Sequence, residues 1–189
     1  GTKVELTVLR ARRGSEAQRI ALVRAPVSYP AATVKVVSGD VAVLQVQSLE
    51  PAKIKEVAGR LAEINKQGAK RLVLDLRGNC TGTPEEGIAL ANLFMEKGLI
   101  TYVQGQKVAR QDFEAEAGKA IWKHPMVVVA SRGTAGGAEV AAAALLDSKR
   151  AEVVGERTYG NAALRKAITI DDGAAVILSI AKYYGPGGK

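Results

Sequence analysis

The sequence has one cysteine, Cys80, and one histidine, His124, among 189 residues. A lone cysteine cannot close an internal disulfide and excludes a cysteine zinc cluster. A lone histidine excludes a histidine-rich metal site and leaves any serine–histidine mechanism dependent on His124. That residue lies in WKHPMVVV, at the mouth of a strand, and reads as structural or solvent-exposed. No metal and no cofactor is expected. Aromatic residues are only 4% of the chain. None interleaves with the densest basic cluster, LRARRGSEAQR (9–19), so a stacking platform for nucleic acid is missing. No apolar run approaches the roughly 20 residues a bilayer-spanning helix needs. There is no internal repeat and no long low-complexity tract. No secretory leader is visible; GTKVELTV reads as a strand entered in mid-fold, and the chain reads as an excised piece.

What is present suits a globular protein. The chain is 47% hydrophobic with near-zero mean hydropathy, and its length suffices for one sizeable domain or a domain plus a fragment. The formal net charge of +8 favours acidic partners or anionic surfaces in general. The basic cluster, however, surrounds a turn at Arg13-Gly14-Ser15 and reads as solvated charge.

KVELTVLR and QRIALVRA alternate apolar and polar residues and predict a hairpin. APVSYPAA carries two prolines and reads as a linker, with a boundary near residues 26–32. TVKVVSGDVAVLQVQS suggests two strands about Gly39-Asp40. Ile54, Val57, Leu61 and Ile64 have helical spacing, with Gly68 as a stop. KRLVLDLRGN is a buried strand. In TPEEGIALANLFMEKG, Thr83, Pro84 and Glu86 form a helix start with a capping box. LITYVQGQ is a strand, RQDFEAEAGKAIWKHP is indeterminate, and MVVVAS is a strand followed by a helix through EVAAAALL. AEVVGE is a short strand. ALRKAITI and AAVILSIAKYY flank a turn at Asp171-Asp172-Gly173. Strands alternating with helices predict an α/β fold about a mainly parallel sheet.

Three stretches, in order, resemble one family. RLVLDLRGNCTG is similar to a D-L-R-x-N-P-G-G loop. VVVASRGTAGGAEVAAAALLD is similar to a nucleophile segment, G-S-A-S-A-S-E, before a small-residue helix. GERTYGN is similar to G-E-x-T-F-G-K, and the closing YYGPGGK to Y-Y-T-P-S-G-R. These are motifs of the C-terminal processing (tail-specific) peptidases, which use a serine nucleophile and a lysine base. The resemblance implies a crotonase-like ββα-type core over residues 33–189, truncated at its C-terminal end. It also implies that residues 1–27 are the last hairpin of a PDZ domain.

Matching the motifs residue by residue places the acidic position at Glu139, which is retained. The nucleophile falls three residues earlier, at Gly136, and the base falls at Asn161. Glycine has no side chain to attack with, and an amide is no base at neutral pH. In the D-L-R loop the proline matches Cys80, and the two glycines match Thr81 and Gly82. Thr81 brings a β-branched side chain to a place where open backbone is expected. Gly82, with Gly137 after the nucleophile position, belongs to the implied oxyanion loop. Thr134 reads as a turn or cap residue and Cys80 as an inert loop thiol.

The resemblance therefore implies an inactive homologue that binds polypeptide C-termini or unfolded segments, or acts as an envelope scaffold. It can form a homo-oligomer and is located in the bacterial periplasm or envelope. Two other readings stay open. One is a working peptidase using displaced residues. The other is a carrier of a small hydrophobic ligand, since retinoid-binding modules resemble the same core.

Overall fold

A computed structural model describes residues 1–10, 16–26 and 29–188. The expected turn at 13–15 and part of the 26–32 boundary lie outside the described residues. Two strands, β1 (Lys3–Val8) and β2 (Gln18–Val23), pair antiparallel in a sheet of their own.

The core begins with β3 (Ala32–Ser38) and β4 (Val41–Val46), paired antiparallel across the Gly39-Asp40 turn. Alternation in β4 buries Ala42, Leu44 and Val46. Helix α1 (Ile54–Lys66) follows and sinks Val57, Leu61 and Ile64 into the core, on the face their spacing predicts. Gly68, at φ +85°, turns the chain out of it. Strand β5 (Arg71–Asp75) pairs parallel with β4. Helix α2 (Pro84–Asn92) starts at Thr83, whose N–H is accepted by the Glu86 carboxylate at 2.9 Å.

The expected α2 is longer than the observed one. It stops at Asn92 because the Leu93 carbonyl accepts from the N–H groups of Ile121 (2.8 Å) and Trp122 (3.1 Å). The indeterminate segment thus closes α2 and supplies Trp122, fully buried, to the core. It also contributes a short strand, β7 (Gln111–Glu114), paired with β6 (Leu99–Gln104).

Strand β8 (Met126–Ala130) returns beside β5, parallel to it, and leads into helix α3 (Gly137–Asp147). Strand β9 (Glu152–Gly155) then pairs parallel with β8. The five-stranded sheet runs β3-β4-β5-β8-β9 with three parallel pairings. Strands β10 (Ala163–Thr169) and β11 (Ala175–Tyr184) do not join it. They form a second, antiparallel sheet in the order β10-β11-β6-β7. The parallel character thus belongs to one of two core sheets.

Helix α3 is apolar almost all round and central, with Ala138, Val140, Ala141, Ala144 and Leu145 buried. It crosses α2 at a contact between glycines. A Cβ on Gly87 would lie 2.1 Å from the Gly137 carbonyl oxygen, and one on Gly137 would lie 2.4 Å from that of Thr83.

Candidate active site

The site is built where β8 and β5 end. The Thr134 hydroxyl donates to the Leu76 carbonyl (2.9 Å) and accepts from the Ser131 N–H (3.0 Å). Thr134 is fully buried, so its hydroxyl shapes the turn. The Ala135 N–H donates to the Asn79 carbonyl (2.9 Å). The Asn79 amide in turn donates to the Val46 carbonyl (3.0 Å). These bonds pin the turn over 131–136 against the loop after β5.

Gly136 is the N-cap of α3, with φ 61° and ψ −121°. Glycine meets that conformation without steric cost. A Cβ built on it would find the Gly82 carbonyl oxygen at 3.5 Å and no closer atom. The space for a side chain is there, and it faces Gly82. Gly82 itself has φ +83° and packs on Leu49, where a Cβ would fall 2.2 Å from the carbonyl oxygen. The Thr81 hydroxyl accepts from the Leu49 N–H (3.0 Å) and donates to Ser48 Oγ (3.2 Å). Its branched side chain is thus committed to the end of the β4 connection. Cys80 is exposed and free.

Glu139 occupies the third position of α3 and is 8% exposed. Its carboxylate accepts from three backbone N–H groups: Gly136 (3.0 Å), Gly160 (2.6 Å) and Asn161 (2.7 Å). The N–H groups of Gly136 and Asn161 meet on the same oxygen, Oε2. Two turns 25 positions apart in sequence are therefore joined by one carboxylate. A second tie runs from the Tyr159 N–H to the Thr134 carbonyl (3.0 Å). Asn161 Oδ1 accepts from the Arg165 guanidinium.

At the end of β5, Asp75 and Arg77 form a bidentate pair, with Nη2 to Oδ2 at 2.7 Å and Nε to Oδ1 at 2.9 Å. The Arg77 N–H also donates to Oδ1. Burial pushes the Asp75 carboxyl up, but these bonds and the guanidinium charge outweigh it and hold it below the usual carboxylate range. No group of three or more His, Cys, Asp or Glu side chains able to hold a metal is gathered among the described residues.

The sequence model of peptidase family S41 matches residues 40–189. The chain belongs to peptidase family S41. It is 34% identical, over 190 residues, to the carboxy-terminal processing protease CtpA of Bacillus subtilis, covering all of this chain and 40% of that protein. It is 37% identical over 132 residues to a carboxyl-terminal-processing protease of Synechocystis, covering 70% of this chain and 31% of that one. The solved photosystem II D1 C-terminal processing protease superposes with a TM-score of 0.77 at 27% identity, over all of this chain and 52% of that one. The chain thus spans about half, or less, of the length of these relatives. Its S41 relatives include bacterial and chloroplastic processing proteases. No described helix is long and apolar enough to cross a membrane.

Two features of this S41 site were not read from the sequence. One is the convergence of three N–H groups on Glu139. The other is Arg165, whose guanidinium stands at position 161. The convergence has no local signal, because it depends on how Gly160 and Asn161 fold back on α3; the Arg165 contact spans four residues and could have been read as a local pair.

Proposed function

We propose that this S41 chain is a catalytically inactive member of its family that binds polypeptide C-termini or unfolded segments. One observation carries the reading. The two positions matched to the serine and lysine, Gly136 and Asn161, meet on a single Glu139 oxygen, yet neither has a group that can attack or take a proton. Nucleophile and base act as a unit, so loss of either removes most of the catalysis. Arg165 cannot replace the lysine, since a guanidinium stays protonated. Thr134 cannot replace the serine, since its hydroxyl is buried and spent on Leu76.

Binding needs only the scaffold. The start of α3 offers N–H groups and a positive helix end to a carbonyl or carboxylate oxygen, and sheet edges can pair with an extended backbone. In this reading residues 1–27 are the closing hairpin of a PDZ domain and residues 33–189 a peptidase-like core with a scaffolding role in the bacterial envelope. The separate sheet of β1 and β2 supports that division, and the bacterial relatives support that setting.

A fluorogenic peptidase assay on tail-bearing substrates tests the reading. Turnover at the level of buffer is expected from the wild type and from Gly136→Ala alike. Robust wild-type turnover abolished by Cys80→Ser or Thr134→Ala would overturn it. Calorimetry with apolar C-terminal peptides is expected to show modest affinity.

A further inference from the structure

The β10–β11 hairpin leaves the body of the protein as a ribbon. Strand β6 pairs with β11 only at Lys182, Tyr183 and Tyr184, so residues 164–179 have no sheet neighbours but each other. Every residue from 164 to 179 is exposed. A two-stranded hairpin with no covering layer is marginally stable in water.

Strand β10 is also a free edge. The Ile170 N–H donates inward, to the Ala174 carbonyl (2.9 Å). Backbone groups alternate in direction along an antiparallel strand, so Arg165, Ala167 and Thr169 turn their N–H and C=O groups away from β11. Such an edge is a template for another strand, and proteins commonly block it with proline or charge. Ala167-Ile168-Thr169-Ile170 carries neither.

The charges at its two ends select the second strand. Arg165 lies toward the base and Asp171 at the tip, equally far from Ile168. A second copy of β10, antiparallel about a twofold axis at Ile168, sets Ala167 opposite Thr169 and Arg165 opposite Asp171 on each side of the axis. Ala167 and Thr169 both point their backbone groups outward, so their hydrogen bonds close in this register. Opposite charges directly across a strand pair attract. Arg165 spends Nη2 on Asn161 and keeps its other donors. Asp171 forms no salt bridge among the described residues. An axis one residue nearer the base sets Arg165 opposite Thr169 and Asp171 opposite Ala163, and the charge pairing is lost. One residue nearer the tip carries the pairing into the turn, where Asp172 has φ 70° and the strand has ended. We infer that β10 pairs with β10 of a second copy of this chain across the Ile168 axis, joining two four-stranded sheets into one continuous sheet. The strand complements itself, as a closed twofold dimer requires, and the pairing does not depend on peptide binding.

Cross-linking in the 189-residue chain tests this. Ile168→Cys in a Cys80→Ser background puts a thiol on the axis, at a non-hydrogen-bonded position where the two Cα atoms stand about 4.5 Å apart, within reach of a disulfide. Oxidised glutathione is expected to link it into a covalent dimer. Val176→Cys in the same background lies about 14 Å from its copy, three strand spacings away, and is expected to stay unlinked. Added to Ile168→Cys, Arg165→Asp or Asp171→Arg alone sets like charges opposite each other and is expected to slow linking about tenfold. The two together restore opposite charges and are expected to link within about twofold of the parent. Circular dichroism verifies that each variant folds. A folded Ile168→Cys variant that stays unlinked, a Val176→Cys variant that links as fast, or a double swap as slow as its singles overturns the dimer. If Ile168→Cys stays unlinked while an apolar C-terminal peptide protects the Ala167 and Thr169 amides from hydrogen exchange, the edge belongs to an extended peptide instead.

Discussion

Gly136 fits its site through its backbone. A residue with a Cβ at φ 61° and ψ −121° stores strain of about 1–3 kcal/mol, and glycine stores none. A serine at this position would carry that strain, and glycine is free of it. Gly136→Ala is expected to lower stability by about 1–3 kcal/mol in urea unfolding, because the space around the new methyl is open and only the backbone objects. Arg77 argues a different case. With Asp75 held below the usual carboxylate range in the folded state, its contribution is complete above the unfolded value of about 3.9. It is lost as pH falls through the lower folded value. Arg77→Ala leaves the buried carboxyl to its desolvation. It is expected to lower stability at neutral pH and to move acid unfolding, followed by circular dichroism, to higher pH.

At the scale of elements, the crossing of α2 and α3 depends on two glycines without side chains to separate the backbones. Gly87 has an ordinary helical φ, so its role is clearance alone. Gly87→Ala is expected to destabilise by about 1–3 kcal/mol, because a methyl 2.1 Å from the Gly137 carbonyl oxygen must push α3 away from α2. The same shift displaces the start of α3, so peptide affinity is expected to fall with stability in calorimetry. A surface glycine with no neighbour within 4 Å, such as Gly59, is the control: Gly59→Ala, inside α1, is expected to gain up to about 1 kcal/mol.

The whole molecule leaves apolar surface uncovered. The core-facing residues of β4, β5 and β8 are buried, while Val41, Val43, Val73, Val127 and Val129 on the alternate face are half-buried and Val154 is 47% exposed. Sheets with parallel strands are as a rule covered on both faces. The β10–β11 hairpin adds Ile168, Val176 and Leu178, all at least 40% exposed, along one of its faces. Exposed apolar surface of this kind drives association. The 189-residue chain is expected to show a concentration-dependent mass in light scattering. A Val127→Lys, Val129→Lys double variant, charged on the open face, is expected to move it toward the monomer. A wild type that stays monomeric throughout contradicts this account.

Period and local chemistry made much of the fold legible in the sequence. Alternation in VAVLQV and MVVVA, the four-then-three spacing of Val57, Leu61 and Ile64, and the Thr83–Glu86 start each depend on neighbours within one or two turns, so they are written locally. So is the three-residue step from Gly136 to Glu139, which becomes one turn of helix. The tertiary structure alone decided the rest. It ended α2 at Asn92 because residues 121–122 captured the Leu93 carbonyl. It sent β6, β10 and β11 into a second sheet. It brought Gly160 and Asn161 back to α3, where one buried carboxylate collects N–H groups from both turns. Contacts of this separation are chosen by the packing of the whole core, and no window of sequence around either partner contains the other.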